Sequence, residues 1–219
     1  MEYFDLIYKK AARLFASGPI KIITDEMVIN AWNKKCQEEG PINSSIGIVL
    51  DDPYVIAIRD LVEFPDGSRN GYLRIYSRAY LEGGSAGVVI LPVRDNKILL
   101  MHNFRHATRA WHWEVPRGFG EVDKTAEEQA NIEMQEEVSA DIAEIINLGT
   151  FYNNTGLEGD PVNLFMGRIK TEGVVNTDIG VDQLRWVTVE ELEAMIASAE
   201  ITDGFTIAAY TRAKLKHLI

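Results

Sequence analysis

A single cysteine, Cys36, stands in 219 residues, so no intrachain disulfide can form and a reducing compartment is predicted. Cys36 falls in an amphipathic stretch and reads as a small, partly buried residue, not a nucleophile. Long apolar runs are also missing. None approaches the roughly 20 residues a membrane span needs, and Met1–Ser17 lacks the uninterrupted apolar centre of a signal peptide. These absences predict a cytoplasmic protein with no membrane partner. Positive charge is scarce as well: 22 Lys and Arg face 33 Asp and Glu, a formal charge of -11. A duplex-binding protein usually carries the opposite sign, so sequence-independent nucleic-acid binding is disfavoured and no nucleic-acid partner is expected. Repeats and low-complexity segments are absent. What remains is an ordinary globular composition, 46% hydrophobic, ample for a sizeable core.

Residues 1–45 read as a helical arm. Phe4, Ile7, Ala11, Leu14 and Phe15 recur at helical spacing until Ser17-Gly18-Pro19. A second helix is expected from Thr24-Asp25, carrying Val28, Ala31, Trp32 and Lys35, with Gly40-Pro41 as its stop. From about Ser45 the texture becomes β-rich, and residues 46–80 form a second region. Ile46–Leu50, Tyr54–Phe64 and Gly71–Tyr80 are the expected strands, with Pro65-Asp66-Gly67 as a turn. Residues 81–219 are expected to be one catalytic unit. In it, Ala86–Val93 and Lys97–Phe104 flank an Asp95-Asn96 turn, and strands follow at Glu144–Tyr152, Val162–Ile169 and Gln183–Val187. Helices are expected over Asp123–Val138, from Thr188 to about Ala199, and from Asp203 towards Leu218. Thr125 with Glu128, and Thr188 with Glu191, have the spacing of capping boxes.

Glu133, Glu136 and Glu137 lie on the first of these helices. Spacings of three and four put Glu133 on one face with both partners, about a turn apart. Like charges so close repel unless a cation or a basic group offsets them. Hard cations prefer carboxylate oxygen. By itself, however, the spacing suits a solvated acidic helix face better than a metal site.

The flanking residues change that balance. Trp113-Glu114-Val115-Pro116-Arg117-Gly118 reads as a strand entering a Pro-Arg-Gly turn, followed by a loop and the carboxylate helix. With Gly118, Glu133, Met134, Glu136, Glu137 and Ala140 at the matching positions, this resembles the signature of the Nudix hydrolases. Three positions depart from it: Lys124 replaces a Glu, Ile132 an Arg, and Ser139 a Gly. The likeness to the ADP-ribose pyrophosphatase branch runs over about residues 46–219. It includes the Pro-Asp-Gly hairpin, the Phe104-Arg105 pair, Leu148–Tyr152, Gly156–Phe165 and the closing Trp186-Val187, Glu190–Glu200 and Ile201-Thr202-Asp203.

The resemblance implies an α/β fold, the Nudix α/β/α sandwich with a mixed sheet, preceded by N-terminal helices and a β-rich region. It implies Mg²⁺, or Mn²⁺, as cofactor and a small-molecule nucleoside diphosphate derivative as substrate, with ADP-ribose cleaved to AMP and ribose 5-phosphate. Glu133, Glu137 and the Arg117 carbonyl would hold metal, and Glu136 would be a further ligand or a partner of the attacking water. Arg105 would meet a substrate phosphate, with a surface salt bridge as its plainer role. Glu114 would bind metal or substrate, or be a strand-edge glutamate. A general base would come from Asn153–Asp160, with Asp160 first and Glu158 as the alternative. A homodimer is implied too, with residues 46–80 as the contact. Two other readings stay open: a Nudix-fold nucleotide-binding or regulatory module with little hydrolysis, and a hydrolase of another nucleotide sugar or a dinucleotide. Other tempting features carry less. His102 and His106 make a poor zinc pair without a third ligand. Trp111-His112-Trp113 is read as packing before base stacking, and Gly118-Phe119-Gly120 is no dinucleotide fingerprint.

Overall fold

The computed structural model describes residues 2–6, 12–39, 44–171 and 173–219, without the side chains of Ala12, Arg13 and Glu39. Ile7, Ala11 and the Gly40-Pro41 stop lie outside the described residues. The chain divides into two compact units: residues 1–83 with 154–160, and residues 84–153 with 161–219.

The first unit is built on a small antiparallel sheet. Strand β3 (Val55–Glu63) pairs along its length with β4 (Arg69–Ser77). Its other edge takes β2 (Gly47–Asp51) and, further along, β1 (Lys21–Ile22). Helices α1 (Tyr3–Asp5), α2 (Glu26–Glu39) and α3 (Arg78–Leu81) complete the unit. The helical reading of residues 1–45 holds at α1 and α2 and is corrected between them: Ala12–Phe15 is a 3-10 turn, and Lys21–Ile22 is a strand on Val62 and Glu63. An open ladder edge overrode the local pattern. α2 starts where expected, with the Asp25 carboxylate accepting from Val28 N. The strand expected to reach Tyr80 stops at Ser77, and Arg78–Leu81 turns helical. Tyr3, Leu6 and Ile29 share one core with Ile46, Ile56, Ile58, Leu61 and Tyr76. Segment 154–160 lines the free edge of β4: Ile75 N donates to Leu157 O, and Gly159 N to Ile75 O. A Cβ on Gly159 would overlap the Tyr76 ring, so only glycine allows this approach.

A buried ion pair anchors this unit. Asp60, 1% exposed, takes Arg74 Nε at 2.6 Å and the Tyr3 hydroxyl at 2.7 Å. Arg74 Nη1 donates to Tyr76 Oη and to Leu14 O. Burial, reinforced by Asp60, raises the Tyr3 phenol far above its usual range.

The second unit is an α/β/α sandwich. Its mixed sheet has the order β11 (Val181–Thr188), β6 (Lys97–Arg105), β5 (Gly87–Arg94), β10 (Val162–Ile169), β9 (Ile142–Phe151). β7 (Ala110–Glu114) joins β6, and β8 (Arg117–Phe119) joins β5. β10 runs parallel to β5, and the other pairs are antiparallel. Asp95 and Asn96 both adopt positive φ, which suits a two-residue hairpin turn. Strict alternation sorts the sheet's two faces. Val88, Ile90, Leu99, Met101 and Phe165 meet helix α4 (Ala126–Val138) through Ala130, Met134 and Val138. Val89, Leu91, Val93, Ile98 and Leu100 meet α5 (Val189–Ala197) and α6 (Gly204–Leu215) through Leu192, Met195, Ala209 and Ala213. Each fully buried Leu or Ile contributes about 1.5–3 kcal/mol. Both capping boxes form as their spacing predicts. The Pro-Arg-Gly turn is corrected to a strand: Arg117–Phe119 pairs with Gly87–Val89, because that stretch of β5 offers an open edge.

Candidate active site

Two stripes run side by side along the buried face of α4. Ala130, Met134 and Val138 enter the core, while Gln129, Glu133 and Glu137 form a polar stripe at the same spacing of four. Glu133 and Glu137 are 9% and 8% exposed, so this is not a solvated acidic face. Both meet the strand at 117–118. Glu137 Oε2 accepts from Arg117 N at 2.8 Å. The Glu133 carboxylate lies where a Cβ of residue 118 would be, and only glycine leaves it that space. Gln129 Nε2 donates to Glu133 Oε1 at 2.8 Å and fixes its orientation.

The electrostatics are unfavourable without a compensating cation. Burial pushes the Glu137 carboxyl up to about 8; the Arg117 N–H and the charge of Arg105 oppose this, and Glu133 and Glu114 add to it. Burial also raises Glu133, the Gln129 hydrogen bond opposes the rise, and Glu136 and Glu121 add to it. Glu136 itself stays exposed on α4.

Glu114, at the end of β7, is fully buried. Its Oε1 receives Asn103 Nδ2 at 3.1 Å and pairs with the Arg105 guanidinium. Its Oε2 receives Arg117 Nη2 at 3.3 Å. It is therefore a braced carboxylate, not a strand-edge one. Asp160 and Glu158 sit in the first unit, where Asp160 Oδ2 accepts from Ser77 N at 2.8 Å. Burial raises the Asp160 carboxyl, with the Ser77 hydrogen bond opposing.

The donors on α4 are oxygens, which suits a hard divalent cation. Such a cation is commonly held by one or two carboxylates, with water and substrate phosphate as its other ligands. Glu133 and Glu137 fit that pattern. Among the described residues, no three His, Cys, Asp or Glu side chains form a ready metal-binding group. His102 is occupied otherwise, with Nδ1 2.7 Å from Asp182 Oδ1 and its ring between those of Trp111 and Trp113.

Of the departures from the signature, Ser139 has the clearest consequence. It takes the left-handed conformation, φ 50°, that ends α4 and that glycine adopts at less cost. Gln129, Asn103 and Asp203 were missed from sequence. Gln129 alone left a signal, since it lies four residues before Glu133 in the series 129, 133, 137.

The NUDIX domain family model matches residues 84–205, more than half of the chain. The chain thus belongs to the Nudix family, whose hydrolases act on nucleoside diphosphate derivatives. A solved structure titled as that of an ADP compounds hydrolase is similar, with a TM-score of 0.63 and 17% identity over 78% of this chain and 91% of that chain. At that identity the likeness concerns the fold. The comparison with curated proteins finds no match. No helix among the described residues is long and apolar enough to cross a membrane.

Proposed function

We propose that the protein hydrolyses the diphosphate bond of a nucleoside diphosphate linked to another group, with ADP-ribose, giving AMP and ribose 5-phosphate, as the leading substrate. The observation that carries this reading is the pair of buried, mutually repelling carboxylates, Glu133 and Glu137, set against Arg117 and Gly118. Burial opposes ionisation of both carboxyls, and a cation shared with the substrate's phosphates would favour their charged forms. Glu133, Glu137 and the Arg117 carbonyl would hold Mg²⁺ or Mn²⁺, with Glu136 at the exposed rim. When bound, that ion supplies neutralisation of charge on the phosphoryl oxygens.

The chain's own residues do the rest. Gln129 and Arg117 N fix the two carboxylates. Arg105, ion-paired to Glu114, would orient a phosphate. Asp160, with Glu158 as the alternative, is carried as the proton acceptor on the sequence likeness. The substrate's identity rests on that likeness and on the ADP compounds hydrolase of similar fold. A homodimer formed through residues 46–80 is supported by the exposed apolar residues Val49, Leu50 and Tyr54.

Initial rates on ADP-ribose, other nucleotide sugars and dinucleotides, with Mg²⁺ and with Mn²⁺, test the proposal. ADP-ribose is expected to be cleaved fastest, and Glu137→Gln to lose about a thousandfold in rate, the scale of several kcal/mol of transition-state stabilisation. ADP-ribose that binds without turnover would favour a binding or regulatory module.

A further inference from the structure

The Arg117 side chain is held by three groups. Nη2 lies 3.3 Å from Glu114 Oε2 and 3.4 Å from Asp203 Oδ1, and the guanidinium carbon stands 4.7 Å from the centre of the Phe205 ring. These supports come from β7, from the residue that caps α6, and from the first turn of α6. Yet Nε of Arg117 is buried without a hydrogen-bond partner. Arg105, on the other oxygen of Glu114, shows the same condition: its Nε is also buried and unpartnered. A buried donor with no acceptor is destabilising. Two of them, on guanidiniums braced by one carboxylate, mark a place where acceptor oxygens are missing. Both side chains also keep surface open to a ligand, 30% for Arg105 and 23% for Arg117.

We infer that the Arg117 guanidinium, together with Arg105, binds the anionic oxygens of the substrate's diphosphate, and that Glu114, Asp203 and Phe205 are positioning residues for it. Planar guanidinium forks match phosphate oxygens, and a braced fork loses little freedom on binding. Glu114 and Asp203 balance the two positive charges, so the arginines can stand together before the anion arrives. Asp203 divides its work: Oδ2 accepts from Thr206 N at 2.8 Å and caps α6, while Oδ1 faces Arg117. The inference rests on reading this site as one for nucleoside diphosphates, but not on hydrolysis.

The test is calorimetric titration of ADP into the full chain in the presence of a chelator, beside kcat and KM for ADP-ribose with Mg²⁺. Arg117→Ala is expected to weaken ADP binding about tenfold or more, the loss of one charge-assisted contact, and to raise KM more than it lowers kcat. Arg117→Lys keeps the charge without the planar fork and should recover only part of the affinity. Asp203→Asn preserves the helix cap but not the charge beside Arg117, so ADP binding should weaken about threefold to tenfold while Tm holds. ADP affinity unchanged in both Arg117 variants would overturn the inference even if hydrolysis is confirmed. So would a parent protein that fails to bind ADP. Arg117-dependent ADP binding by a protein that cleaves no diphosphate would uphold the inference and sink the hydrolase reading.

Discussion

Each of the two units buries charge, and they do it in opposite ways. In the first, one carboxylate, Asp60, meets one guanidinium, Arg74, whose Nε and Nη1 find acceptors while Nη2 is buried without one. In the second, Glu133, Glu137 and Glu114 crowd together, while the Nε donors of Arg105 and Arg117 stay unmet. A matched buried pair holds a fold in one arrangement. A mismatched group stores an electrostatic debt that a ligand relieves. The surplus of buried carboxylates, three in the second unit's group against one in the first, is what marks the second as the candidate site.

Substitutions sharpen or break that comparison. The largest effects should be equal in size but different in kind. Arg74→Met leaves Asp60 buried and unpaired, and should cost about 3–5 kcal/mol in urea unfolding. Glu137→Gln replaces a carboxyl whose ionisation burial opposes, and should leave stability unchanged or raised while activity collapses. A loss of stability in Glu137→Gln to match that of Arg74→Met would erase the distinction. Gly118→Ala comes next. Its Cβ would displace the Glu133 carboxylate, and a shift near 1 Å is worth about a hundredfold in kcat/KM. Retained activity would mean that Glu133 need not sit where the structure has it.

Gln129→Ala frees Glu133 to change rotamer, and should cost about tenfold in kcat/KM with a Tm change of only a few degrees. A large Tm drop at normal kcat would make Gln129 a core residue only. The smallest effect belongs to Ser139→Gly. Relief of the left-handed backbone, less the added freedom of the unfolded chain, should stabilise by about 0.5 kcal/mol. Unfolding midpoints would show it, and destabilisation would contradict the strain.

The parts legible in the sequence were those encoded locally. Thr125 with Glu128 and Thr188 with Glu191 start two helices as their spacing predicts, and Asp95-Asn96 turns the β5–β6 hairpin. The interval from Gly118 to Glu133 carried the close approach between β8 and α4. What stayed hidden depends on distant partners. Lys21–Ile22 and Arg117–Phe119 are too short to show a strand period, and each is a strand because an open edge lies beside it. Nothing near Asp203 in sequence points to Arg117, 86 positions earlier, and nothing near Asn154–Asp160 shows that it lines β4. Helical spacing could not tell buried carboxylates from solvated ones. The apolar series Ala130, Met134, Val138 beside them decides that question once the sheet is known to pack there.

The most direct test of the central claim is the thermal midpoint of the parent and of Glu137→Gln, measured with chelator and then with Mg²⁺. A ligand that binds only the folded state stabilises it by RT ln(1 + [L]/Kd). Mg²⁺ should raise the midpoint of the parent by several degrees and that of Glu137→Gln little or not at all, while the variant in chelator melts at or above the parent. Equal Mg²⁺ responses in the two proteins, or none in either, would contradict the claim that Glu133 and Glu137 are held apart from solvent to receive a cation.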